Sequence, residues 1–165
     1  MKNVFLKINI LDRQLFVEGN SLEDIRNNLQ EQREESNNTP TILPVQSLNI
    51  TSRFRIRTNP ITGRKEFHDA VDFTGMKGDK VYATADGIVI KSTYHNVRGN
   101  YIVIQHKYSY QTLFAHLNEK LVEEGQRVKK GDVIGTMGRT GRTTGTNLHY
   151  SITHNNRKVD PEDYF

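Results

Sequence analysis

Apolar and polar positions change rhythm twice along this 165-residue chain. Near the start, Leu6, Ile8 and Ile10 alternate with polar residues in "FLKINIL", and "LFVEG" follows a polar "DRQ". That pattern predicts a small hairpin over residues 4–17. The period then lengthens. Leu22, Ile25 and Leu29 fall three and four apart behind Ser21, with Asp24 in the capping-box position, so a helix is expected from Ser21. Its stripe is thin, and "QEQREE" beyond it is wholly polar, so this helix needs a partner surface to stay folded. Residues 36–52, "SNNTPTILPVQSLNITS", carry two prolines and no charge. They read as a linker or as an extended segment laid along the next domain.

From residue 53 onward glycines punctuate short runs of alternating Val, Ile, Tyr and Thr. "GIVIKSTYH", "NYIVIQHKY", "YQTLFAHL", "DVIGTM" and "LHYSI" each read as a strand, and "VKKGD" as a hairpin turn. No helix is expected here. The fold class is mainly β: a compact antiparallel domain over residues 53–165, preceded by a hairpin-and-helix appendage (1–35) and the 36–52 connection.

Charge sharpens the division. Residues 1–50 hold five Lys/Arg and seven Asp/Glu, net −2, and the remainder holds 18 and 12, net +6. A basic domain suits an anionic partner, such as a polyanionic wall polymer. No block of five or six like charges occurs, and nucleic acid is not expected as the partner. The absence of cysteine excludes a disulfide framework, a thiolate nucleophile and any cysteine-based zinc site. No run approaches the roughly 18 apolar residues of a membrane span. "MKNVFLKINILDRQLF" is interrupted by Lys7, Asp12 and Arg13 and does not read as a secretion signal.

Without cysteine, a metal site must draw on His and Asp/Glu. His68 and Asp72 in "EFHDAVDFTG" are one candidate pair. On a straight strand residues four apart lie about 13 Å from each other, too far for one ion, so this pair requires a bend between its members. His149 in "GTNLHYSI" is the third candidate. Two histidines and one carboxylate would leave a fourth tetrahedral position open to water, as in a hydrolytic site. On a strand, Leu148 would face the core, with Asn147 and His149 together on the other side. His116, in "LFAHLN", ends another strand and could come near the same place.

Taken in order, "IRTNP", "HDAVDF", "VYATADGIV", "GNYIVIQHKYSYQTLFAHL", "VEEGQRVKKGDVIGTMGRTGRTTG", "LHYSI" and "DPEDYF" resemble the LytM/lysostaphin-type zinc endopeptidases, which cut peptide cross-bridges in bacterial peptidoglycan. The likeness runs from about Arg53 to Phe165. It implies Zn2+ held by His68 and Asp72 of a His-x-x-x-Asp motif and by His149, the second His of a His-x-His motif. It also implies two non-ligand histidines at the reaction centre. One maps onto His116. The other maps onto Asn147, where this chain departs from the pattern.

An asparagine amide can donate a hydrogen bond, but it cannot take up a proton near neutral pH. Asn147 could therefore keep some oxyanion stabilisation and no acid–base role, which implies impaired catalysis. Family members with damaged sites can act as partners of other wall hydrolases. The reading is thus a zinc-binding, peptidoglycan-directed domain that partners an active hydrolase in wall remodelling or cell shape, as a homodimer or with a related LytM-domain protein. The alternative is an active endopeptidase on stem-peptide cross-links. Arg57, Arg139 and Arg142 are candidates for meeting substrate carboxylates. Because peptidoglycan lies outside the cytoplasmic membrane, the resemblance places the chain in the periplasm or cell envelope, as a soluble part of a longer exported or membrane-anchored protein.

Overall fold

The computed structural model describes residues 21–59 and 61–165, and the hairpin expected over residues 4–17 lies outside the described residues. Residues 21–38 are helical, so the helix continues through the polar stretch. Its stripe is open to solvent: Leu22, Ile25 and Leu29 are 67%, 51% and 60% exposed. The chain divides into two compact units, residues 1–35 and 36–165.

The second unit is built from short strands: β1 (Ile50–Ser52), β2 (Arg55–Thr58), β3 (Lys65–His68), β4 (Val71–Thr74), β5 (Lys80–Tyr82), β6 (Gly87–His95), β7 (Gly99–Gln105), β8 (Tyr110–Lys120), β9 (Arg127–Val128), β10 (Val133–Met137), β11 (Asn147–His154) and β12 (Arg157–Val159). The mainly antiparallel β fold expected from the sequence is the one observed, and the five quoted runs fall on β6, β7, β8, β10 and β11. Among the described residues the main sheet has the order β1-β4-β11-β8-β7-β6-β9. β12 pairs with β11, β10 pairs with both β8 and β5, and β2–β3 form a separate hairpin. No helix was expected after residue 53, yet the chain closes with a 3-10 turn at Pro161–Tyr164, where the Asp160 carboxylate accepts from the Glu162 amide at 3.0 Å.

Alternation on the central strands makes the core. Val71 and Phe73 on β4, Leu148, Tyr150 and Ile152 on β11, Phe114 on β8 and Ile102 and Ile104 on β7 are fully buried. Val81, Val128, Ile134 and Met137 of β5, β9 and β10 join the same cluster. Each such side chain contributes about 1.5–3 kcal/mol by burial. The buried Tyr150 hydroxyl is satisfied by donating to Thr84 Oγ1 at 2.9 Å.

Residues 36–52 are not a free linker. They take the other form considered, an extended segment along the β domain. Pro44 and Val45 are buried, and Leu43 and Ile50 pack on the core. The amides of Asp86, Tyr82 and Thr74 donate to the carbonyls of Asn37, Pro44 and Asn49 at 2.7–2.9 Å. A segment without charges can be buried this way, and its carbonyls replace a strand's hydrogen bonds.

Candidate metal centre

The required bend exists. β3 ends at His68, the chain turns through Asp69 and Ala70, and β4 begins at Val71. Val71 and Phe73 point into the core, so Asp72 between them points to the opposite face. On β11 the same alternation buries Leu148 and Tyr150 and turns Asn147 and His149 outward. Register then does the rest: His149 lies directly across from Asp72 on β4 and from Ala115 on β8.

Among the described residues, His68, Asp72 and His149 form a cluster of metal-ligating groups. His68 Nε2 lies 3.4 Å from His149 Nδ1 and 3.3 Å from Asp72 Oδ2, and His149 Nδ1 lies 2.8 Å from Asp72 Oδ1. A tetrahedral ion with bonds of about 2.0–2.1 Å needs donors roughly 3.3–3.4 Å apart. The two histidine nitrogens have that spacing and the Asp72 carboxylate lies against both, so the three groups can converge on one four-coordinate cation, with a fourth position open to the cleft they line. His68 is oriented for this by the Arg53 carbonyl, 3.1 Å from Nδ1, which accepts a hydrogen bond from Nδ1–H and leaves the Nε2 lone pair for an ion. Burial alone would raise the Asp72 pKa, but hydrogen bonds and charge from His149 and His68 hold it well below the usual carboxylate range.

His116 reaches the same face by a break in alternation. Phe114 and Leu117 both lie in the main core although they are three residues apart. The extra residue is accommodated by His116 itself, whose φ is +63°. A left-handed conformation at a histidine costs about 1–3 kcal/mol and persists only where its surroundings enforce it. Here the His116 amide donates to the Arg98 carbonyl at 2.8 Å, and Nδ1 donates to the Thr140 carbonyl at 2.8 Å. Nε2 stays free, and the ring centroid is 5.9 Å from that of His149. Burial holds the His116 pKa below the ordinary histidine value, so the ring is neutral at neutral pH.

Asn147 is oriented too. The Thr143 hydroxyl shares its one proton between two acceptors, Asn147 Oδ1 at 3.0 Å and the Gly145 carbonyl at 3.1 Å. Oδ1 thus lies against Thr143, and Asn147 is among the residues that line the cleft. The cleft has a volume of about 480 Å³ and is lined by His68, Asp72, His116, Asn147 and His149 with Arg57, Arg98 and Arg142 among its walls. Of the three arginines singled out from sequence, Arg57 contacts Asp72 Oδ2 at 3.1 Å, Arg142 lines the cleft, and Arg139 is exposed and is not part of the lining. The loop 139–145 was expected beside the groove, but Arg98 and the contacts of Thr140 and Thr143 were not foreseen. Their roles come from loop contacts that leave no periodic trace in sequence.

Residues 66–161, more than half of the chain, match peptidase family M23. Peptidoglycan DD-endopeptidase ShyC of Vibrio cholerae is 40% identical over 119 residues, covering 72% of this chain and 28% of that protein. The crystal structure of a zinc containing peptidase from Vibrio cholerae superposes with a TM-score of 0.65 at 42% identity, over 75% of this chain and 38% of that one. The catalytic domain of the antimicrobial peptidase lysostaphin from Staphylococcus simulans gives 0.64 at 26% identity, over 70% of this chain and 90% of that one. The chain spans little more than a quarter of the length of the curated relatives it matches. A fold, a cleft and a family match over the same residues agree: this chain belongs to peptidase family M23.

Proposed function

We propose that this chain is a zinc-binding, peptidoglycan-directed M23 domain whose hydrolysis of peptide cross-links is slowed by Asn147, and that it serves as partner to an active wall hydrolase in the cell envelope. The observation that carries this reading is the donor triangle of His68, Asp72 and His149, set beside an amide where the family pattern has a second histidine. The metal, when bound, supplies Lewis acidity, lowering the pKa of water toward about 7 and polarising a carbonyl.

The side chains supply the rest. His116, neutral and held by Thr140, can accept a proton at Nε2. Asn147, turned by Thr143, can donate a hydrogen bond to a developing oxyanion and cannot relay a proton. Arg142 and Arg98 give the cleft walls positive charge suited to the carboxylates of stem peptides. Support for a partner comes from the exposed stripe Leu22, Ile25 and Leu29, a surface suited to a related M23 chain or a second copy.

The second reading, an active endopeptidase, is favoured by His116 and by relatives named DD-endopeptidases. Zinc content and muropeptide release by the parent and by His149→Ala test the proposal. Stoichiometric zinc in the parent, lost in the variant, with slow chelator-sensitive release, supports it. A parent that takes up no zinc refutes it, and rapid release by the parent favours the second reading.

A further inference from the structure

One half-buried charge beside the metal centre has no part in the chemistry above. Arg57 on β2 directs Nη1 at two acceptors, Asp72 Oδ2 at 3.1 Å and Ser52 Oγ at 2.6 Å. Its side chain is three-quarters covered, with 24% exposed. The buried Nε makes no hydrogen bond and lies 3.5 Å from Glu66 Oε1, the residue opposite on β3. Ser52 Oγ in turn lies 3.4 Å from His68 Nδ1. One guanidinium thus reaches one ligand directly and is linked through Ser52 to another.

We infer that Arg57 is a positioning residue of the metal centre: it occupies Asp72 Oδ2 so that Oδ1 is the oxygen offered to the ion. The inference rests on the zinc reading above. An Asp carboxylate can offer an ion one oxygen or two, and here Oδ1 lies 2.8 Å from His149 Nδ1 while Oδ2 lies 3.3 Å from His68 Nε2. A charge-assisted bond to Oδ2 removes that freedom and fixes the plane of the carboxylate. The contact also ties the β2–β3 hairpin, which ends in His68, to the strand that bears Asp72.

The test uses the full chain with zinc or Co2+ as the probe. Zinc affinity is measured by competition with a chromophoric chelator, and ligand geometry by the visible spectrum of the Co2+ form. Arg57→Gln is expected to weaken zinc binding about 10–100-fold and to shift the Co2+ bands. Arg57→Lys, which keeps the charge without the fork, should recover only part of the loss. Glu66→Gln removes the hairpin ion pair, leaves the Asp72 contact, and should leave the Co2+ spectrum as in the parent. Unchanged affinity and spectrum in Arg57→Gln overturn the inference, as they do in Arg57→Lys should the glutamine variant fail to fold. So does Glu66→Gln reproducing the whole loss, because hairpin packing would then be the cause. Failure of the parent to bind zinc overturns the proposed function and this inference with it, whereas a parent that binds and variants that match it overturn this inference alone.

Discussion

At the scale of single residues, the site is a set of side chains whose free atoms are decided by what their other atoms bind. Thr140 takes one nitrogen of His116 and frees the other, and Thr143 takes the oxygen of Asn147. Removing His116 as His116→Ala should abolish whatever hydrolysis the parent shows, and muropeptide release measures it. His106 illustrates the opposite case, a histidine whose two nitrogens are both spoken for. Nδ1 donates to the Asp86 carbonyl and Nε2 accepts from Thr112 Oγ1, each at 2.8 Å. Burial holds its pKa below the ordinary 6.5, so the unfolded chain takes up a proton more readily than the folded one. The stabilising contribution is therefore full above about pH 6.5 and shrinks as pH falls below it. Denaturant titrations between about pH 7 and pH 5 should show a shallower loss of stability in His106→Gln than in the parent.

Strands and their irregularities decide which residues meet. Much of this was legible in sequence. Alternation in "LHYSI" placed Leu148 inward and Asn147 with His149 outward, and the reach of an extended chain demanded the turn now seen between His68 and Asp72. The left-handed conformation at His116 was not legible, because nothing in "LFAHLN" marks it and it is imposed by contacts 18 and 24 residues away. The short strands β1, β5, β9 and β12 are too brief to show a period, and the contact of Arg57 with Asp72 depends on how a hairpin lies across β4. The loop pair that steadies His116 gives a direct test. Gly99 and Gly141 both have positive φ, and a β-carbon on either would overlap backbone of the other loop. Gly99→Ala should cost more than the roughly 1–3 kcal/mol of backbone strain alone and should lower activity. Gly63→Ala, also at positive φ but facing open space, should cost the strain and spare the site, as thermal melts and zinc titrations would show.

Across the whole molecule, the centre joins distant parts of the chain: a hairpin residue, a β4 carboxylate and a β11 histidine meet only when the β unit is folded. A metal held there would be linked to the fold. Zinc at 100 times its dissociation constant should stabilise the folded chain by about 2.7 kcal/mol, and a chelator should remove that increment in a thermal melt. His149→Ala should abolish the dependence on zinc. Among the described residues no helix is long and apolar enough to cross a membrane. The measurement that bears most directly on the central proposal is muropeptide release from purified peptidoglycan by zinc-loaded parent and Asn147→His side by side. The expected result is slow release by the parent, release faster by about 10²–10⁴-fold in Asn147→His, and loss of both with a chelator. Equal rates in the two proteins would contradict it, because Asn147 would then not be what limits the site.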